Sequence, residues 1–370
     1  MPADSQVPEP GQPDPHPTWG PPPSGWDGQP AAASGTGADP AHRSWPPAKP
    51  GVLELRPLGF GDLLDATFAV IRLAPIPTLL NAVLVQLLPA LLALWLLLPW
   101  FTGFEVSFDP VLSPAEMVQG LERSWPSLAA GFGSYLALQL LAGVLVIGPS
   151  TVAAMRATLG LRTGWGASLA LSSRAMLRLV AWNLLAGAAV LLVLALSVAG
   201  AAALARPLGA AVAGILLALW LLALLPLYVW LAIKLCFGPV ELVARSMGIG
   251  SAIASSWRLV RGSWWRILGI LLVVGIVLGL LSGLVVQILD VATGQFVSGS
   301  NTALGVGVGV AAQAVVGALS MVLGQVMVTL LHVDARIRHE RLDLVLEAES
   351  RTGPTHPIPG HGERPAPPPR

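Results

Sequence analysis

The sequence predicts an all-α integral membrane protein with about six transmembrane helices, in three repeats of an amphipathic cytoplasmic elbow helix plus a membrane hairpin. Composition is the first reason. Of 370 residues, 54% are hydrophobic and 11% charged, against about 25% charged in soluble domains. A water-soluble fold of this size has too little interior for that much Leu, Val and Ala. The second reason is a series of long uncharged runs, and the third is a Gly-apolar-Gly signal that recurs ahead of them. A net charge of +1 gives no electrostatic footprint for nucleic acid.

Residues 1–50 hold 14 prolines among Gly, Ser and Asp. Such a stretch cannot bury enough surface to offset its ordering entropy, and it reads as a disordered cytoplasmic tail with polyproline II character. Trp19, Trp26 and Trp45 punctuate it, either as a docking element for an aromatic-lined groove or as parts of a solvated tail. Its lack of an apolar core argues against a secretory signal peptide. Residues 351–370 read as a second disordered, Pro-rich tail. The membrane domain is then 51–350, closing on a short cytoplasmic helix.

A helix crossing about 30 Å of hydrocarbon needs about 20 apolar residues. Uncharged runs place spans near 77–101, near 127–153, between Arg178 and Arg206, between Arg206 and Lys234, between Arg266 and Asp290, and near 307–331. Arg206–Pro207 reads as a tight turn, since Pro suits a first helical turn. The N-terminal side, the second and fourth loops and the C-terminal side carry 19 of the 21 basic residues on one face. The positive-inside rule therefore puts both termini in the cytoplasm and the protein in the plasma membrane. Trp95, Trp100, Trp125, Trp182, Trp230, Trp264 and Trp265 fall near span ends, as interfacial anchors do.

The repeat begins at Gly59-Phe60-Gly61, Gly164-Trp165-Gly166 and Gly248-Ile249-Gly250, and reaches Arg72, Arg178 and Arg261 after 13, 14 and 13 residues. In the first copy Phe60, Leu64, Phe68 and Ile71 fall on one helical face, and Asp62, Asp65, Ala69 and Arg72 on another. That is the pattern of a helix lying in the headgroup region. Asp62 and Asp65 suit the positive end of its dipole, and Arg72 the negative end. Arg72, Arg178, Arg258 and Arg261 are candidate ligands for anionic lipid headgroups, or simply determinants of topology.

The span cores carry no charge, which argues against an ion-coupled pump. Asn81, Gln86, Gln139, Asn183, Gln287, Gln313 and Gln325 are left for interhelical hydrogen bonds or substrate contact. Gly275, Gly279 and Gly283 form GxxxGxxxG in the fifth span, a surface for close helix packing within the chain or in a homo-oligomer. Pro89 and Pro226 are expected to kink their helices. Cys236 is the sole cysteine, so no intrachain disulfide or cysteine metal cluster forms. No catalytic, metal or cofactor motif is recognisable.

Three stretches resemble a family. Leu55-Arg56-Pro57-Leu58 with Gly61-Asp62-Leu63-Leu64-Asp65, Phe68 and Arg72 resembles the opening of the bacterial glycerophosphoryl diester phosphodiesterase membrane-domain family. The run Ser256-Trp257-Arg258-Leu259-Val260-Arg261-Gly262-Ser263-Trp264-Trp265-Arg266 resembles its second signature. Asp334-Ala335-Arg336-Ile337-Arg338 with Leu342-Asp343-Leu344 resembles its cytoplasmic ending. The catalytic barrel of some relatives has no counterpart here, so the resemblance implies a membrane module without the enzymatic half. The expectation is a non-enzymatic component of the envelope or of lipid handling, partnered by membrane lipids, a second copy or another membrane protein. The alternative is a transporter or permease for a small or lipid-like substrate.

Overall fold

A computed structural model describes residues 49–103, 114–297 and 302–361, all within one compact unit. Most of the N-terminal tail, with its three tryptophans, and residues 362–370 lie outside the described residues. The described chain is helical, with no strand. Helix α1 spans Phe60–Leu73, and a π-turn at Ile76–Leu80 leads into α2, Asn81–Gly103. Then come α3 (Pro114–Ala157), α4 (Trp165–Leu208), α5 (Ala210–Leu235), α6 (Gly238–Ala244), α7 (Ile249–Val260), α8 (Trp264–Val297), α9 (Thr302–Glu340) and α10 (Leu342–Thr352).

Among the described residues, five helical stretches are long and apolar enough to cross a membrane: Gly133–Ala157, Trp165–Pro207, Ala211–Ala244, Trp264–Leu289 and Gly307–Glu340. A sixth arises only if α1 and the helix from Ile76 to Leu92, bent by 89° from each other, count together. Pro75 and Pro77 explain that bend, because neither can donate to the preceding turn.

Each Gly-apolar-Gly signal marks a helix start. Gly59, Gly164 and Gly248 are all N-caps in extended conformation, and each carbonyl accepts the first helical bond, from Leu63, Ser168 and Ala252. The exits differ. The first amphipathic stretch bends sharply into the following helix, and the third breaks at Arg261–Ser263 before α8. The second runs without interruption into the span as the 44-residue α4, since no Pro or Gly lies between Gly166 and Gly187. The expected turn at Arg206–Pro207 is also displaced. Helix α4 continues through Pro207, and the chain reverses at Gly209, whose φ of 86° falls in the region that favours glycine.

The core lies at one end, here called the base, where α1, α6, α7 and α10 gather around the ends of α3 and α9. Phe237, Met155, Leu179, Leu242, Leu259, Met327, Leu331 and Leu342 are fully buried there. In the most apolar windows of α4, α5 and α8 only 6% is buried, against 56% in α3 and 39% in α9. The α4–α5 hairpin and much of α8 therefore present their surface outward. Helix α9 is the hub, packing most extensively on α8 and α2, then on α3 and α1.

The stretch assigned by sequence to the second tail departs from that expectation. Residues 351–361 finish α10 and then return to the base, where Ile358 is 3% exposed. Arg156 and Arg336 hold the returning backbone by hydrogen bonds to Pro357 O and Gly360 O. Proline-rich composition spoke for disorder, but Ile358, Pro359 and Gly360 are buried and side chains of α3 and α9 hold the backbone.

Candidate functional site

The base carries a charged network built on the last turns of α9. Asp334 and Arg338 are four residues apart and share one helical face; Arg336 and Glu340 do the same on the other, with His332 one turn earlier.

On the first face, Asp334 is fully buried. Its Oδ2 accepts from Arg266 Nη1 at 2.6 Å and Arg338 Nε at 3.0 Å, and its Oδ1 from the Leu58 amide at 2.8 Å. The Leu58 carbonyl accepts in turn from Arg266 Nη2 at 2.7 Å and Arg338 Nη2 at 3.2 Å. Both backbone groups of one residue are thus clasped by three side chains from α8 and α9. Burying a carboxylate costs several kcal/mol unless its lone pairs are satisfied, and here they are. This clasp joins all three motif stretches, at residues 58, 266 and 334.

On the second face, Glu241 of α6 and His332 are both fully buried. His332 Nε2 lies 3.1 Å from Glu241 Oε1, which also accepts from Ser255 Oγ at 2.8 Å. Phe237 packs edge-on against the imidazole. Arg245 bridges Glu241 and Glu340, at 3.8 and 3.5 Å, and Arg258 and Arg336 reach Glu340 at 3.5 and 2.9 Å. Glu241 Oε2 and His332 Nδ1 have no hydrogen-bond partner. Glu241 and His332 have no exposed surface, while Arg245, Glu340 and Arg258 reach it. Among the described residues no group of three or more His, Cys, Asp or Glu is arranged to hold a metal ion.

The residues singled out from sequence have separate fates. Asp62 caps α1, accepting from the Gly59 amide at 2.9 Å, and pairs with Arg56 at 3.2 Å; these contacts raise the Arg56 pKa, with Glu54 the largest influence. Asp65 is exposed and lines a shallow cavity of about 230 Å³ with Asp62, Glu54 and Lys49. Arg178 donates to the carbonyls of Ser246 and Met247, pinning the α6–α7 loop to α4. Arg258 joins Glu340. Arg72 and Arg261 are exposed. The four arginines converge on no common partner.

Gly275, Gly279 and Gly283 are all exposed, and a Cβ added at any of them meets nothing within 4 Å. Among the described residues, the stripe therefore packs against no helix. Helix α8 instead turns Ile267, Ile270 and Val274 inward, and Ser282 meets Ser320 of α9 at 2.8 Å. The spans' polar side chains also join helices. Asn81 donates to Leu145 O at 2.8 Å and accepts from the Trp165 indole at 3.0 Å; Gln86 reaches Met321 Sδ; Gln325 donates to Thr151 Oγ1 at 3.0 Å.

Glu241, Ser255, Arg266 and His332 escaped sequence reasoning as a site. One signal was available: Glu241 is the sole acidic residue between Glu122 and Asp290. Far from this network, near the α4–α5 turn, lies a groove of about 560 Å³ lined by Val193, Leu196, Gly200, Leu204, Leu216 and Trp220 among others. Its one hydroxyl, on Ser197, donates to Val193 O and accepts from the Trp220 indole at 3.1 Å.

No curated protein and no solved structure matches the chain. Residues 126–336 run from α3 through the Ser256–Arg266 stretch to Arg336 in the charged end of α9. Over them, more than half its length, the chain matches the family described as a domain of unknown function (DUF7847), and it belongs to that family.

Proposed function

We propose that the protein is a non-enzymatic, multi-pass component of the plasma membrane that handles lipid, seating a hydrocarbon tail between α4 and α5. The groove there carries the reading. Its volume of about 560 Å³ falls in the roughly 300–1,000 Å³ range of ligand pockets. Its walls are apolar, and its one hydroxyl is already bonded. An aqueous route needs unspent polar groups along the spans, and three of the seven polar side chains there, Asn81, Gln86 and Gln325, are committed to other helices. That favours lipid handling over permeation of a polar solute. A non-enzymatic role is supported by the burial of Glu241, His332 and Asp334, which leaves those two carboxylates and the imidazole out of a substrate's reach.

The charge layout supports a base in the cytoplasm, with the α4–α5 turn on the opposite side. Arg72 and Arg261, exposed at the base, then face anionic headgroups at about 1 kcal/mol each. Arg178 drops out of that role because it holds the Ser246 and Met247 carbonyls, while Arg258, 64% exposed beside Glu340, stays within reach of a headgroup. The resemblance to the glycerophosphoryl diester phosphodiesterase membrane-domain family fits a module that works beside lipid chemistry without performing it.

Mass spectrometry of co-purified lipid is the test. Gly200→Trp, which fills the groove, should strip a lipid species that wild type retains. Arg72→Ala with Arg261→Ala should shift the retained species away from anionic headgroups. Lipid profiles identical in wild type and Gly200→Trp would refute the groove as the carrier.

A further inference from the structure

The segment after α10 is held by an arrangement that proton uptake would undo. His356 and His361 stack with ring centroids 3.8 Å apart and planes within 11°. His361 Nδ1 lies 2.8 Å from Ala244 O, so that nitrogen carries the proton and donates. His356 Nδ1 lies 3.2 Å from the Ile358 amide, which donates to it while that nitrogen is bare; the Ile358 carbonyl, farther at 3.4 Å, is the acceptor that the protonated nitrogen would find. Between the two imidazoles the segment gives its carbonyls to arginines. Pro357 O accepts from Arg156 of α3 at 2.7 Å, and Gly360 O from Arg336 of α9 at 2.9 Å. The Gly360 amide donates to Glu349 of α10 at 3.0 Å.

We propose that residues 353–361 form an acid-released strap across the base, seated while His356 is neutral and freed when it is protonated. Protonation removes the acceptor for the Ile358 amide and sets a positive ring against His361. The surrounding charges are Arg156 of α3, Arg174 of α4, Arg336 of α9 and the partner ring His361, all of which oppose a further positive charge once His361 is itself charged. The Ile358 carbonyl and Glu349 of α10 favour one. Burial first, and His361 second, hold the His356 imidazole below the usual histidine range, with Arg174 acting the same way and Glu349 and the Ile358 backbone against them.

The sign follows from linkage. The free strap takes up a proton more readily than the docked one, so docking is strongest above the ordinary histidine value of about 6.5 and weakens as pH falls from there toward the depressed value. Release returns Arg156 and Arg336, whose donors the strap now occupies, to the surface. This inference stands apart from the lipid groove, at the other end of the molecule.

Hydrogen exchange of the full chain in lipid nanodiscs tests it, with rates at each pH divided by the intrinsic rate. Protection of the 353–361 peptide should fall by about tenfold between about pH 7.5 and about pH 5. His356→Asn keeps an acceptor near the same place and cannot titrate, so it should hold protection across the range. His361→Asn keeps a donor for Ala244 O and removes one charge, so the midpoint should move to higher pH. Protection that ignores pH in wild type, or that falls equally in His356→Asn, would overturn the strap.

Discussion

Asp334 illustrates how much one side chain fixes at the base. It accepts from α8, from its own helix and from the backbone of residue 58, while fully buried. Replacing it with Asn leaves Arg266 and Arg338 facing an amide. Because both guanidinium groups are about a third exposed, the loss should be about 2–3 kcal/mol, below the usual cost of breaking a fully buried pair. Detergent-titrated unfolding of Asp334→Asn would measure it, and an unchanged midpoint would show the clasp to be idle. Arg266 spans both Asp334 and the Leu58 carbonyl with separate nitrogens, a fork that Lys cannot copy. Arg266→Lys should therefore cost about 1 kcal/mol in the same assay. The i,i+4 pairing of Asp334 with Arg338 was readable from sequence, because it is local. Its link to Leu58 crosses 276 positions, and no periodicity carries that information.

At the scale of elements, two cases separate capacity from use. GxxxGxxxG in α8 has the capacity for close packing, and that much is sequence-legible. Which neighbour takes it up is not, and among the described residues no helix does. Gly279→Ala should leave unfolding within about 0.5 kcal/mol of wild type, the range of substitutions that touch nothing. A larger loss would mean that the stripe is in contact with something after all. Gly238, at the start of α6, is the opposite case. No motif marks it, yet a Cβ there would overlap the Trp182 ring of α4. Gly238→Ala should destabilise by about 1–3 kcal/mol through overpacking. The double variant with Trp182→Leu should recover part of that loss, which a double-mutant cycle would read directly. The start signals of α1, α4 and α7 were legible because a cap is a local device. The unbroken α4 was the harder case: it follows from what the sequence lacks between Gly166 and Gly187, and a recurring spacing of arginines outweighed that absence.

The whole molecule divides into a packed, charged base and an apolar half that buries little of itself. Sequence composition foresaw both halves, because charge and hydropathy are additive along a chain. The groove between α4 and α5 was not foreseen, since its lining side chains are the same Leu, Ala and Val as any lipid-facing surface and only the hairpin's geometry makes them concave. The division also yields the topology test. Arg206 is exposed beside the α4–α5 turn, and Arg162 is exposed in the loop that leads into α4. The two lie at opposite ends of one 44-residue helix, which at about 1.5 Å per residue is longer than the hydrocarbon is thick. Cys236, the sole native thiol, can be replaced with Ala. In that background, Arg206→Cys should react with a membrane-impermeant maleimide in intact cells, and Arg162→Cys only after permeabilisation. Labelling of both from the same side would mean that α4 does not cross the membrane. Labelling in the reverse order would leave the helices as spans but turn the molecule over, placing the strap and the charged base outside the cell.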